Sequence, residues 1–146
     1  MLTEPSSALG GVMIVVEAVI DLVDPRRREA CLDASAPVQR ATREDEPGCL
    51  VYCFAADPVV DGRIQVYELW EDAASLAAHF EHANYREMRT LLAGFGLASA
   101  VSRKHLVARS APVYDDDRRP TAGFADGAPA ATDVQGPQVT GSMKSR

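Results

Sequence analysis

The sequence is short of cysteine, of clustered basic charge and of long apolar runs, and each shortage excludes a class of protein. Three cysteines, Cys31, Cys49 and Cys53, do not make the paired framework of a small secreted scaffold, and an odd count suits a reducing compartment. Positive charge is in the minority, with 15 Lys and Arg against 21 Asp and Glu and a formal charge of −6. The only basic run is Arg26-Arg27-Arg28, too little for the concentrated face that nucleic acid requires. The longest apolar run, Val12 to Ile20, is interrupted by Glu17 and is too short to span a bilayer. Met1 to Gly11 has neither the basic start nor the apolar stretch of a secretory signal. No GxGxxG follows a strand, and no His, Cys and carboxylate set stands at metal-ligand spacing. These shortages leave a soluble, cytoplasmic protein with no nucleic-acid partner, no membrane partner and no metal.

What is present is enough for one core. The 146 residues allow a single domain of about 100 residues plus tails. Composition shifts near Arg109, after which Pro112, Pro120, Pro129 and Pro137 are spread among Gly, Ala, Asp and Thr. Little apolar surface is left there to offset the entropy of ordering, so residues 109–146 are expected to be mostly disordered. Tyr114 and Phe124 are the exceptions that could pack on a neighbouring surface. Residues 1–11 are expected to be loose, and the folded unit is 12–108.

Within that unit, Val12 to Ile20 is β-branched and apolar and predicts a strand. Asp24-Pro25 reads as an N-cap and first helical position. The helix that follows carries Cys31, Ala34, Val38 and Ala41 on one face, with Pro37 expected to kink or split it. Pro47-Gly48 ends it. Cys49 to Ala56 and Arg63 to Glu71 predict two strands joined by a turn at 57–62. Asp72 can cap a short helix with Ala73, Leu76, Ala77 and Phe80 on one face. Asn84 with Glu87 resembles a capping box for a second helix, which buries Tyr85, Met88 and Leu92 and stops at Gly94 or Gly96. Ala98 to Val107 is the last strand. The order β-α-β-β-α-β is a ferredoxin-like α+β arrangement with helices on one face of an antiparallel sheet. The strands are apolar on both faces, so the uncovered face asks for a lid, and a second copy in a homodimer is the simplest one.

Two stretches, Glu46-Pro47-Gly48-Cys49-Leu50-Val51-Tyr52 and Tyr67-Glu68-Leu69-Trp70-Glu71-Asp72 followed by His79, resemble the antibiotic biosynthesis monooxygenase (ABM) domain family, a branch of the dimeric α+β barrels. The resemblance covers about residues 12–107. It implies a cofactor-independent monooxygenase that turns an aromatic phenol or hydroquinone into a quinone with O2. The substrate would be its own reductant, and no flavin or metal would be needed. Two other readings stay open: a non-catalytic small-molecule-binding or accessory module, and heme degradation. The heme-degrading branch fits less well. Its first-strand Asn has no match, because Asn84 is the only Asn, its helix Trp falls at His79, and its proximal His falls near Arg89.

The pocket is expected between sheet and helices, lined by Val16, Tyr52, Trp70, His79, Tyr85, Met88 and Arg89. His79 is either a core-edge histidine or a base, since histidine ordinarily titrates near ~6.5. Tyr85 and Arg89, four apart on one helix face, can converge to stabilise an anion, or simply pack. Trp70 is a core anchor or a pocket wall. Glu68 shares its strand face, and if buried it should be paired, with Arg89, Arg103 or Lys104, or have a raised pKa. His82 reads as solvated, and Glu17 either pairs across the sheet or points into the pocket. Cys49 and Cys53 fall on one strand face, too far apart to bridge.

Overall fold

The computed structural model describes residues 11–124. The expected looseness of residues 1–10 and of 125–146 therefore lies outside the described residues. The chain divides into two compact units, Met1–Ala108 and Arg109–Arg146.

In the first unit the strands are β1 (Ile14–Leu22), β2 (Cys49–Ala56), β3 (Arg63–Trp70) and β4 (Leu97–Leu106), and the helices are α1 (Arg28–Asp45), α2 (Ala73–Glu81) and α3 (Ala83–Phe95). The sheet is antiparallel throughout, in the order β2-β3-β1-β4. All three helices lie on one face, so the chain has the expected ferredoxin-like α+β fold.

Local chemistry sets the element ends. Asp24 accepts a hydrogen bond from the Arg26 amide (3.0 Å) and opens a 3-10 turn at Pro25–Arg27 that leads into α1. Asp72 accepts from the Ser75 amide (2.7 Å) to start α2. The start of α3 differs from expectation. Its cap is His82, whose Nδ1 accepts from the Asn84 amide (3.0 Å), while the Asn84 side chain is buried elsewhere. Pro37 does not split α1, which runs unbroken for 18 residues. Pro37 and the Asp33 carbonyl that loses its donor both sit on the exposed side, where water can replace the missing bond.

The buried face of α1 is also more polar than apolar spacing predicts. Ala34 is exposed, and Ser35, Gln39 and Thr42 are buried with Cys31 and Val38. Each polar group is satisfied locally: Ser35 Oγ donates to the Leu32 carbonyl, Thr42 Oγ1 to that of Val38, and Gln39 exchanges hydrogen bonds with the Phe54 backbone. A small polar residue that bonds its own helix packs tightly against a sheet at little cost.

The pairing register distributes side chains between the two faces. Tyr52, Glu68, Val16 and Lys104 form one row across the helix-covered face. Phe54, Val66, Ala18 and Ser102 form the next. A register shift between Cys49 and Val51 puts Cys49 opposite Trp70 and into the core, whereas Cys53 lies opposite Tyr67 on the far face. The two cysteines are thus not on one face, contrary to simple alternation. Burial pushes the Cys49 thiol up to about 12, so it is an inert packing group. On the far face Glu17 points away from the helices and approaches His105 Nε2 (3.3 Å), and Asp21 pairs with Arg63 (2.9 Å). Tyr67 and Val101 are exposed there.

In the second unit, residues 113–121 form a tight hydrogen-bonded turn closed by a bridge between Tyr114 and Pro120. Tyr114 and Phe124 are both exposed. No helix among the described residues is long and apolar enough to cross a membrane.

Candidate functional site

Between the sheet and the α2–α3 pair lies a cavity of about 730 Å³, within the size range of small-molecule sites. It exists because the sheet floor carries small side chains where no helix rests. Ala18, Ala100 and Ser102 line it from β1 and β4, and every residue of β4 is exposed. α1 packs over β2 and against α3, filling the other half.

The polar end is built around His79. On α2 the buried residues are Leu76 and His79, while Ala73 and Ala77 are exposed and Phe80 is half-exposed. The histidine therefore sits in the middle of the buried stripe, not at its edge. Its Nδ1 lies 2.8 Å from Glu46 Oε1, and Asn84 Nδ2 donates to Glu46 Oε2 at 3.1 Å. His82 Nδ1 stands 3.9 Å from the same oxygen with its side chain partly exposed, so this residue is a helix cap near the site and not simply solvated. A carboxylate between N–H donors can only accept. A hydrogen on His79 Nδ1 completes this contact with the Glu46 carboxylate. Four rings, those of Tyr52, Trp70, Phe80 and Tyr85, surround the imidazole at centroid distances of 4.6 to 5.9 Å.

Glu46 is the residue that sequence reasoning missed, although it opens the Glu-Pro-Gly-Cys stretch. Its position is set by Gly48, whose φ of +84° favours glycine, whose added Cβ would collide with Ser75 Oγ, and whose carbonyl accepts from the Glu71 amide (2.8 Å). The β3–α2 corner and the end of α1 are thus clamped together, bringing Glu46 under His79. A buried acid after a helix, a glycine of forced conformation and a histidine on the next helix are the available signal.

Glu68 is buried and lines the cavity, and Oε2 accepts from Trp70 Nε1 at 2.9 Å. None of the expected partners, Arg89, Arg103 or Lys104, pairs with it among the described residues. The indole reaches it first because residues two apart on a strand share a face. Burial pushes the Glu68 carboxyl up, opposed by the Trp70 hydrogen bond and by His79. Trp70 itself is fully buried behind His79 and does not line the cavity, so it is a core anchor and not the wall expected of it. Tyr52 is buried, and burial together with the nearby Glu68 and Glu46 pushes its phenol up, keeping it neutral.

The other expected residues do converge. Val16, Tyr52, Glu68, His79, Tyr85, Met88 and Arg89 all line the one cavity. The Arg89 guanidinium lies 5.7 Å from the centre of the Tyr85 ring, a cation–π distance. No group of three His, Cys, Asp or Glu side chains among the described residues could hold a metal ion.

The sequence profile of the antibiotic biosynthesis monooxygenase family matches residues 13–91. The fold is similar to solved proteins given that family name provisionally. One is from Caulobacter crescentus (20% identity, TM-score 0.59, covering 68% of this chain and 92% of that one). Another is from Deinococcus radiodurans (14% identity, TM-score 0.63, covering 70% and 99%). A conserved protein of unknown function from Bacteroides thetaiotaomicron is similar too (21% identity, TM-score 0.59, covering 66% and 99%). Among curated proteins, none matches the chain.

Proposed function

The chain belongs to the antibiotic biosynthesis monooxygenase family, and on that premise we propose that it oxidises an aromatic phenol to a quinone with O2, using no resident cofactor. The observation that carries this reading is the Glu46–His79 pair at the edge of a cavity with aromatic walls. Glu46 holds the proton on Nδ1, and the His79 Nε2 lone pair is the base that takes the phenol proton. Glu46 is a positioning residue, because it acts through His79.

The resulting phenolate is electron-rich enough to pass one electron to O2. The phenoxyl radical, whose unpaired electron is shared with the carbon para to the oxygen, and superoxide then join at that carbon, forming a C–O bond. Loss of the para hydrogen as a proton and cleavage of the O–O bond leave a second carbonyl, and one oxygen departs as water. For a phenol with a para hydrogen the balance is phenol plus O2 giving quinone plus water. Tyr85 and Arg89 supply an O–H donor and a positive charge for the anionic states. Val16, Met88 and Phe54 give the ring its apolar seat.

The far face of the sheet supports a second element of this reading, a homodimer. Val15, Val19, Tyr67 and Val101 are set beside the Glu17–His105 and Asp21–Arg63 pairs, a mixed face that a second copy would cover. Light scattering should give twice the chain mass at micromolar concentration, and a monomer overturns this element.

The test of the reaction is oxygen uptake with an anthrone or naphthol in chelator-treated, flavin-free buffer. His79→Ala should lower the rate by ~100-fold or more. Because it leaves the buried Glu46 Oε1 without its partner, it should lower the thermal midpoint as well, so the rate is compared at a temperature where the variant is folded. Glu46→Gln should lower it less and shift the pH–rate profile. Tight binding without oxygen uptake would instead identify a binding module.

A further inference from the structure

A polar atom that a fold seals inside itself is hydrogen-bonded, because leaving it dry and unpaired costs free energy. The described residues obey this rule, and no sealed side-chain nitrogen or oxygen among them lacks a partner. Two oxygens of the sheet floor stand outside it. Glu68 Oε2 accepts from the Trp70 indole, but Oε1 makes no hydrogen bond among the described residues. Tyr52 Oη makes none either. Neither oxygen is therefore sealed in, although Glu68 is only 8% exposed and Tyr52 1%. Both residues line the cavity, and the cavity is where these two atoms are reached.

The strand register sets them side by side. Tyr52 lies directly opposite Glu68, which places their Cβ atoms about 5 Å apart. The His79 imidazole stands against the same tyrosine, with ring centres 5.5 Å apart. The oxidation proposed above uses neither oxygen.

The two differ in what they offer. A carboxylate oxygen only accepts, whereas a neutral phenol both donates and accepts. Burial keeps the Tyr52 phenol neutral. One ligand group answers both at once: a hydroxyl that donates to Glu68 Oε1 and accepts from Tyr52 Oη. An ether or carbonyl oxygen answers the tyrosine alone and leaves the carboxylate dry. Sites built this way discriminate strongly against the analogue that lacks the hydrogen. The indole, by holding Oε2, leaves Oε1 to the cavity.

We propose that Glu68 and Tyr52 form a hydroxyl-reading subsite, which selects a ligand with a second hydroxyl on the ring whose first hydroxyl meets His79. The place of the first hydroxyl rests on the oxidation proposed above, whereas the subsite rests on the two oxygens. Both hydroxyls belong to one ring because Tyr52 adjoins His79 and Glu68 alike. Glu68 and Tyr52 are thus specificity-determining residues, and a phenol methylated at the second oxygen is rejected.

The experiment titrates the full chain without oxygen, at pH ~8 to hold Glu68 as the carboxylate, using a symmetrical pentylresorcinol and its monomethyl ether. The resorcinol should bind ~10-fold or more tighter, the discrimination that one hydrogen bond to a charged group supplies. Glu68→Gln separates hydrogen bonding from fit. The indole still needs an acceptor, so the amide oxygen turns to Trp70 and the amide N–H donates into the cavity. The preference should then fall to about twofold or less, with the ether bound better than by the unmodified protein. Loss of a merely structural contact would weaken both probes and improve neither. Tyr52→Phe should weaken both by a similar ~3-fold to 10-fold and leave their ratio unchanged. Equal affinities in the unmodified protein, or a preference undiminished in Glu68→Gln, overturn the proposal.

Oxygen uptake with the resorcinol and with a naphthol tells the two readings apart. Uptake without a hydroxyl preference in binding refutes the subsite and leaves the oxidation. A hydroxyl preference with no uptake from either compound retains the subsite and refutes the oxidation.

Discussion

The two halves of one sheet are used differently. Where α1 packs over β2 the face is filled: Ser35 and Thr42 allow close approach, and Trp70, Tyr52 and Ile64 are almost completely buried. Toward β4 the same face is left open, its side chains shrink to Ala18, Ala100 and Ser102, and a cavity results whose other side is walled by Tyr52, Phe54 and Glu68. Buried packing is concentrated in the first half and the cavity opens in the second. The hydrogen-bonded pair of His79 and Glu46 stands at the seam, with His79 lining the cavity.

The largest expected effect is at the centre of the packed half. Trp70→Ala removes the indole that backs His79 and donates to Glu68, and should cost about 3–5 kcal/mol, measured by urea unfolding. A cost under about 1 kcal/mol would deny that this half carries the fold.

Matched enlargements test the contrast more directly. Ser35→Leu forces bulk into the packed half and should cost about 1–3 kcal/mol. Ala18→Leu puts the same side chain into the cavity, where space is waiting. It should leave stability within about 1 kcal/mol of the unmodified protein while weakening aromatic ligands at least ~10-fold. Equal destabilisation by the two would mean that the halves are not distinct.

The smallest effect is a pH dependence at the seam. Burial raises the Glu68 carboxyl above its ordinary value of 4.5. Between the unfolded and the folded value the native chain binds more protons, so this group's contribution to stability falls as pH rises through that window. Glu68→Gln keeps an acceptor for Trp70 and removes the titration. The variant should match the unmodified protein at pH ~3 and exceed it by a few degrees in thermal midpoint at neutral pH. Parallel curves would show that Glu68 is not the group responsible.

Much of this was legible in order along the chain. Strand propensity, the Asp24 and Asp72 caps and Gly96 after α3 predict the β-α-β-β-α-β succession, because each rests on neighbours within a few residues. Most of the cavity lining was legible as well, since Tyr85, Met88 and Arg89 follow helical spacing and Val16 and Tyr52 follow strand alternation. Reading by apolarity alone failed where polar groups are satisfied at short range. Ser35, Thr42 and His79 are buried because a carbonyl or a carboxylate lies within hydrogen-bond reach.

The sequence by itself determined the class of fold, the sides of most strands and the set of residues available for chemistry, because these depend on propensity and period. Only the tertiary structure decided which partner each of them keeps. Glu46 and His79 are 33 positions apart and meet 2.8 Å from each other, whereas Glu68 turns to the indole two residues away. No local rule contains that choice, since it is made by a glycine-clamped corner and by which donor reaches a buried carboxyl first.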